Sequence, residues 1–358
     1  MLNKPVWLLI SFLALLLAAP QAFSEKLLIK GSTTVLPIAE RIAGAYIKDY
    51  PGTRIEVSGG GSGNGIKAII DQTTDIANAS RFIKNKELTY AQGKQIYPVP
   101  FRVAYDCIVP VVHPSSPVND ISISLLREIY MGNITNWESL GGKDRPITVV
   151  SRDTSSGTYE VWEKKVMEKS PVFPGAKVKA SNADVVAEVA ATPGAIGYIG
   201  LGYMDRRVKD LAVDSARGSV STTLDGTYPI SRPLYMFTRG WPRGEALKFI
   251  NYVLEPGLGQ KHVTQAGFVS LYKTASPTAT AEIADQEVLP ETPGNVRMLQ
   301  HFLNELDYPA GPVDGIKGRR TNAALVQYQK NNGLPIDLRL SQSLIDTLSE
   351  RYVEKVKK

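Results

Sequence analysis

Residues 26–50 read KLLIKGSTTVLPIAERIAGAYIKDY, and three kinds of segment follow one another within that stretch. KLLIKG is a short apolar strand and GSTT a turn of small and hydroxyl residues. VLPIAERIAGAYIKDY is a helix with Ile38, Ile42, Ala45 and Tyr46 on one face. The order then recurs. RIEVSG is a strand, SGGGSGNG a turn and IKAIIDQ a helix; farther on, PITVVSR leads through DTSSG into TYEVW. DIANAS, PVPFRVAYDCIVPVV, GAIGYIG and YPISRPLYMFTR add further strands, so the alternation runs from Lys26 to about Lys273. It predicts an α/β architecture with crossover helices. A length of about 250 residues exceeds what one such sheet needs, which predicts two lobes.

The flanks read differently. Met1 to Ser24 carries Lys4, then the apolar run VWLLISFLALLLAA, then the small-residue stretch APQAFS. That order predicts a secretory signal over 1–24, cleaved after Ser24, because the apolar run is shorter than the ~18 residues that spanning favours. No cysteine follows it, so no lipid anchor is expected, and the mature chain is placed in the periplasm. After Lys273, TASPTATAEIADQEVLPETPG (274–294) is rich in Pro, Thr, Ala and Glu and predicts an extended linker with few contacts across it. Beyond it, VRMLQHFLNELDY has Val296, Leu299, Leu303 and Leu306 at helical spacing. TNAALVQYQKNNG is a second helix, with Thr321 as N-cap and Gly333 as its stop, and SQSLIDTLSERY a third. A separate small three-helix domain is expected over 295–358.

Composition narrows the function classes. The net charge of +6, 43% hydrophobic and 21% charged residues are ordinary for a folded protein, and no basic run suggests nucleic acid. A small anionic ligand or an anionic envelope suits the mild excess of Lys and Arg. Cys107, in the apolar run VAYDCIVPVV, predicts a buried, inert thiol. His113, His262 and His301 have no ligand spacing, so neither a metal nor a zinc amidase is expected. Ser270-Leu-Tyr-Lys273 matches the Ser-x-x-Lys pattern of serine acyl enzymes but lacks companion SDN and KTG segments. An enzyme is not expected, nor any cofactor.

The strand–turn–helix segments carry the chemistry. GSTTVLP (31–37), SGGGSGNGIKA (58–68) and SRDTSSGTYEVW (151–162) each place Gly, Ser or Thr at a helix start. There, unpaired N–H groups and a partial positive charge suit an anion. Arg152 offers a bidentate fork, and DIANASR brings Ser80 and Arg81 to the end of a strand.

In that order the four segments resemble the phosphate-contacting segments of the periplasmic phosphate-binding proteins that feed ABC importers; GAIGYIGLGY and FINYVLEPGLGQKHVTQAGFVSL resemble the same family. The similarity covers Lys26 to Tyr272. It implies a two-lobed periplasmic-binding-protein fold with two hinge crossings, near PVPFRVAYD and PISRPLYMF. Lobe 1 would take about 25–100 and 234–273, and lobe 2 about 101–233. It implies inorganic phosphate as ligand, held by Thr33, Thr34, Ser62, Ser80, Arg81, Arg152, Ser156, Gly157 and Thr158. Ser32, Gly63 and Asp153 would support them, with Asp153 holding Arg152. Relatives carry an aspartate where Arg81 stands, accepting a proton from the phosphate. Arg81 either points into the cleft and admits sulfate, or turns outward while Asp153 reads the proton.

The stretch VRMLQHFLNELDYPAGPVDGIKGRRTNAALVQYQKNNGLP resembles a peptidoglycan-binding module, through Leu299-Gln300, the GPVDG turn (311–315), Thr321 and the Asn-Gly-Leu-Pro ending. A protein-binding helical domain is the alternative. The partners implied are phosphate, ABC importer membrane subunits and peptidoglycan, with the chain a monomer. A sensor or scavenger, an oxyanion binder of the sulfate or molybdate type, and a wall-modifying enzyme are the rival functions.

Overall fold

The computed structural model describes residues 26–272 apart from 97 and 241, then 289, 291, and 293–356 apart from 335. The expected secretory signal (1–24) and most of the expected linker (274–294) lie outside these residues.

Strand β1 (Lys26–Gly31) turns Leu27 and Ile29 inward and leads into helix α1 (Leu36–Asp49), which buries Ile38, Ile42 and Tyr46 against it. β2 (Arg54–Ser58), α2 (Ser62–Ile70), β3 (Ile76–Ala79) and α3 (Asn85–Gly93) complete the first half of lobe 1, with β2 and β3 parallel to β1 on either side. Glycine permits the close approach here. A Cβ at Gly65 of α2 would stand 2.6 Å from the Cα of Gly31, so only hydrogen lets the helix lie on the strand.

β4 (Val99–Val112) then runs on for 14 residues. Its first half, Val99 to Ala104, packs in the lobe 1 core, and Cys107 to Val112 pack in the core of lobe 2. Lobe 2 is built from β5 (Asp120–Ile121), α4 (Ile123–Met131), β6 (Thr148–Arg152), α5 (Gly157–Lys165), β7 (Lys177–Lys179), α6 (Asn182–Ala191), β8 (Ala195–Gly200), β9 (Lys209–Asp210), β10 (Ala212–Val213) and α7 (Val220–Leu224). Trp162 of α5 stacks on Tyr198 of β8 with ring centroids 4.3 Å apart, locking the helix to the sheet behind its N-terminus. β11 (Ser231–Thr238) returns antiparallel to β4, followed by α8 (Gly244–Leu254) and α9 (Gly259–Gln265) in lobe 1. The sheet order is β2-β1-β3-β11-β4-β8-β6-β7, with β9 added on β4. The two crossing strands, β4 and β11, are thus the central neighbours that join the lobes.

The C-terminal helices are α10 (Pro293–Glu305), α11 (Arg319–Asn331) and α12 (Gln342–Val356). Gln300 of α10 organises the turn before α11: its amide donates to Asp314, the carbonyl of Ile316 and Thr321, while its oxygen accepts from the N–H of Gly315. Gly311 and Gly315 both have positive φ there, 86° and 82°. Two expectations need correction. Thr321 does not cap α11; Gly318 does, and Thr321 is buried, donating to Ala310. Nor is this unit separate from lobe 1. Met298, Phe302, Ile345 and Leu348 belong to one continuous apolar core with Ile38, Phe101 and Leu234, with α12 against β4 and α10 against α3. The apolar faces that the three helices do not cover for one another are closed by the lobe.

Candidate anion-binding site

The site forms where the helix starts of both lobes meet beside the crossing strands. From lobe 1 come Thr33 and Thr34, just ahead of α1, in a turn fixed by Ser32, whose hydroxyl accepts from the N–H of Thr34 at 3.1 Å. α2 begins at Ser62 with Gly61 (φ 95°) before it and no side-chain cap, leaving its N–H groups to other partners. The Ser62 hydroxyl accepts from the N–H of Ser80 at 3.0 Å and lies 3.2 Å from the Ser80 hydroxyl.

Lobe 2 supplies β6 and α5. Ser156 caps α5 by accepting from the N–H of Tyr159. Thr158 meets Thr34 across the cleft, hydroxyl to hydroxyl, at 2.9 Å. A Cβ on Gly157 would stand 2.5 Å from the Ser62 hydroxyl and 2.7 Å from that of Ser80, so glycine is what lets the helix start reach lobe 1. Gly63 donates its N–H to the Ser155 carbonyl at 2.9 Å, a further bond between lobes, and the Tyr203 hydroxyl donates to the carbonyl of Thr33.

Arg152 is the central cation. Its Nε donates to Lys179 O at 3.1 Å, and its Nη2 donates to Ala180 O at 2.8 Å and to Thr33 at 3.1 Å. Its Nη1 is buried and, among the described residues, has no hydrogen-bond partner. Burial lowers this guanidinium below its usual range. A buried donor without an acceptor is costly, and a bound oxyanion would remove that cost. Asp153 does not hold it, contrary to expectation: its carboxylate accepts from the N–H of Ser155 at 2.9 Å and also bonds the Ser155 hydroxyl, shaping the turn.

Arg81 is also placed differently from either expectation. Glu87 takes it in a fork, at 2.8 and 2.7 Å, and its Nε forms an ion pair with Glu160 of lobe 2 at 2.6 Å. Burial alone would lower this guanidinium, but Glu87 and Glu160 outweigh it and hold it above its usual value. Lys84 adds a second cation to Glu160 at 2.7 Å. Arg81 therefore ties lobe to lobe, its guanidinium engaged by Glu87, Glu160 and the Phe82 carbonyl.

Three residues of the site went unrecognised in the sequence. Arg232 of β11 donates to Thr158 at 3.0 Å and to Ser80 O at 3.2 Å, and pairs with Asp106 of β4 at 2.8 Å, both side chains buried. Asp106 also accepts from the N–H of Leu201. Burial pushes its carboxyl up and Arg232 pulls it back. Asn182, at the start of α6, donates to Thr34 at 3.1 Å and to Thr33 at 3.4 Å. An Asp and an Arg inside otherwise apolar strands were the available signal; Asn182 offered none. The result is a ring of hydroxyl, amide and guanidinium donors from both lobes. Among the described residues no group of His, Cys, Asp and Glu could hold a metal ion.

A two-lobed α/β protein with such a ring between its lobes is a solute-binding protein in architecture, and the comparisons agree. The PBP superfamily domain family matches residues 18–256, and the peptidoglycan binding domain family matches 292–347. The phosphate-binding protein PstS of Bacillus subtilis is 32% identical over 247 residues, covering 69% of this chain and 81% of its own. A phosphate ABC transporter substrate-binding protein of Clostridium perfringens, solved with bound phosphate, superposes with a TM-score of 0.65 at 30% identity, over 69% of this chain and all of that one. An ABC-type phosphate transport receptor of Vibrio cholerae gives 0.57 at 31% identity, over 68% and 99%. The chain belongs to the PBP superfamily and, within it, to the family of the phosphate-binding proteins PstS.

Proposed function

We propose that this protein binds one inorganic phosphate in the interlobe cleft, outside the cytoplasm, and delivers it to the membrane subunits of an ABC importer. In this reading it is a monomer, catalyses no reaction, and is held at the cell wall by its C-terminal helices acting on peptidoglycan. The observation that carries the reading is the buried, unpartnered Nη1 of Arg152, set among Thr33, Thr34, Ser62, Ser156 and Thr158 from both lobes. The relatives' names supply the identity of the anion. Of the described residues, no helix is long and apolar enough to cross a membrane. Titration calorimetry of the mature chain tests the reading: one phosphate per chain is expected. Arg152→Ala should lose about 2–5 kcal/mol of binding, the range for truncating one partner of a buried charge pair. Undiminished affinity in that variant overturns the assignment.

One observation favours a second, broader reading. Asp106, a carboxylate beside the ring, is committed to Arg232 and Leu201 N. With no carboxylate left over to take a proton, the guanidinium, amide and hydroxyl groups of the ring suit a fully ionised oxyanion such as sulfate as well as one that carries a proton.

A further inference from the structure

Helix α12 lies against crossing strand β4, and its buried Asp346 is aimed at it. Asp346 forms an ion pair with Arg102, with both side chains largely out of water. Arg102 in turn donates to the Tyr105 hydroxyl and stacks 5.2 Å from the centre of that ring. On the neighbouring strand the register partner of Arg102 is Tyr235; burial pushes the Asp346 carboxyl up to about 6, and Arg102 and then Tyr235 act against that rise. The β4–β11 ladder slips at this place: Leu234 faces Ala104, but Tyr235 faces Arg102, leaving Val103 as the extra residue of a bulge.

These contacts sit next to the site. Tyr105 precedes Asp106 in β4, and Tyr235 follows Arg232 by three residues in β11. Asp106 and Arg232 are the ion pair whose guanidinium reaches Thr158 and Ser80. One carboxylate of the C-terminal unit thereby grips β4 at the bulge of the β4–β11 ladder, a few residues from where both strands present the site. We infer that Asp346 is a positioning residue for the anion site, acting through Arg102 on the paired crossing strands. The inference rests on the reading of the cleft as a phosphate site, and it gives the C-terminal helices a role in the cleft besides any attachment.

The test uses the full mature chain and two measurements. In calorimetry with inorganic phosphate, Asp346→Asn should weaken binding about tenfold, within the span by which residues touching neither ligand modulate a site. Asp346→Glu should recover part of that loss. Ala324→Gly, a buried change in α11, whose main packing partner is α10, should lower the melting temperature and leave affinity alone. In hydrogen exchange without ligand, amides of 102–107 and 231–236 should exchange faster in Asp346→Asn and unchanged in Ala324→Gly. Wild-type affinity and protection in Asp346→Asn, or an equal loss in Ala324→Gly, overturns the inference. If the wild type binds no phosphate, the functional reading fails, while the exchange measurement still decides whether Asp346 positions the strands.

Discussion

Arg232 and Asp106 face each other across the two strands that join the lobes, 2.8 Å apart and with both side chains buried. Removing one partner strands the other. Arg232→Met should therefore cost about 3–5 kcal/mol in urea unfolding, because the Asp106 charge is left uncompensated. The double change Asp106→Leu with Arg232→Met should recover most of that loss while abolishing the contact to Thr158. A single variant as stable as wild type would show that the pair is not what holds the crossing.

Arg81 separates a ligand role from a closing role. Since Glu87 and Glu160 occupy its guanidinium, Arg81→Ala should weaken phosphate binding far less than Arg152→Ala. Whatever loss it shows should vanish in a Glu160→Gln background, as expected for residues that act through one contact. A full loss that persists without Glu160 would place Arg81 on the anion.

The donor ring also sets the response to charge. Phosphate affinity should rise as pH increases and the dianion comes to dominate, since guanidinium and hydroxyl donors gain from each added negative charge. Sulfate should compete measurably at neutral pH. Calorimetric displacement at acidic and alkaline pH checks both; sulfate exclusion with a flat pH profile would show that a hydroxyl or carboxylate acceptor reads the ligand's proton.

His301, on α10, gives the C-terminal unit an acid-sensitive element. Burial pushes its imidazole down to about 4, whereas the unfolded chain takes up a proton near about 6.5. The unfolded state thus binds more protons in that window, so the contribution of His301 to stability is present above about 6.5 and is lost as pH falls toward 4. Thermal melts across that range should show a shallower acid decline for His301→Gln than for wild type.

Much of this was legible in the sequence, and the exceptions share a cause. PVPFRVAYDCIVPVV and YPISRPLYMFTR announced two strands because apolar runs bounded by turn residues have few other fates. The helix starts at Thr33, Ser62 and Ser156 were visible because a strand, a small-residue turn and a helix occur in order within a dozen residues. Asp106 and Arg232 escaped because their meeting depends on the pairing of strands 126 residues apart. The direction of Arg81 was hidden for the same reason: Glu87 is local, but Glu160 arrives from the other lobe. The composition of 274–294 spoke for that segment alone. It said nothing of the apolar faces on α10 and α12, which close over lobe 1.

That shared core divides the labour of movement. Lobe 1 and the C-terminal helices are packed as a single body, so whatever grips the helices also immobilises Thr33, Ser62 and Ser80. Any parting of the lobes would then carry Arg152, Ser156 and Thr158 of lobe 2 away from the lobe 1 hydroxyls. A chain fastened through its C-terminal helices would work as a fixed jaw and a moving jaw. The fixed jaw would face its surroundings at a constant angle, and the approach of the anion would be governed by the swing of the other.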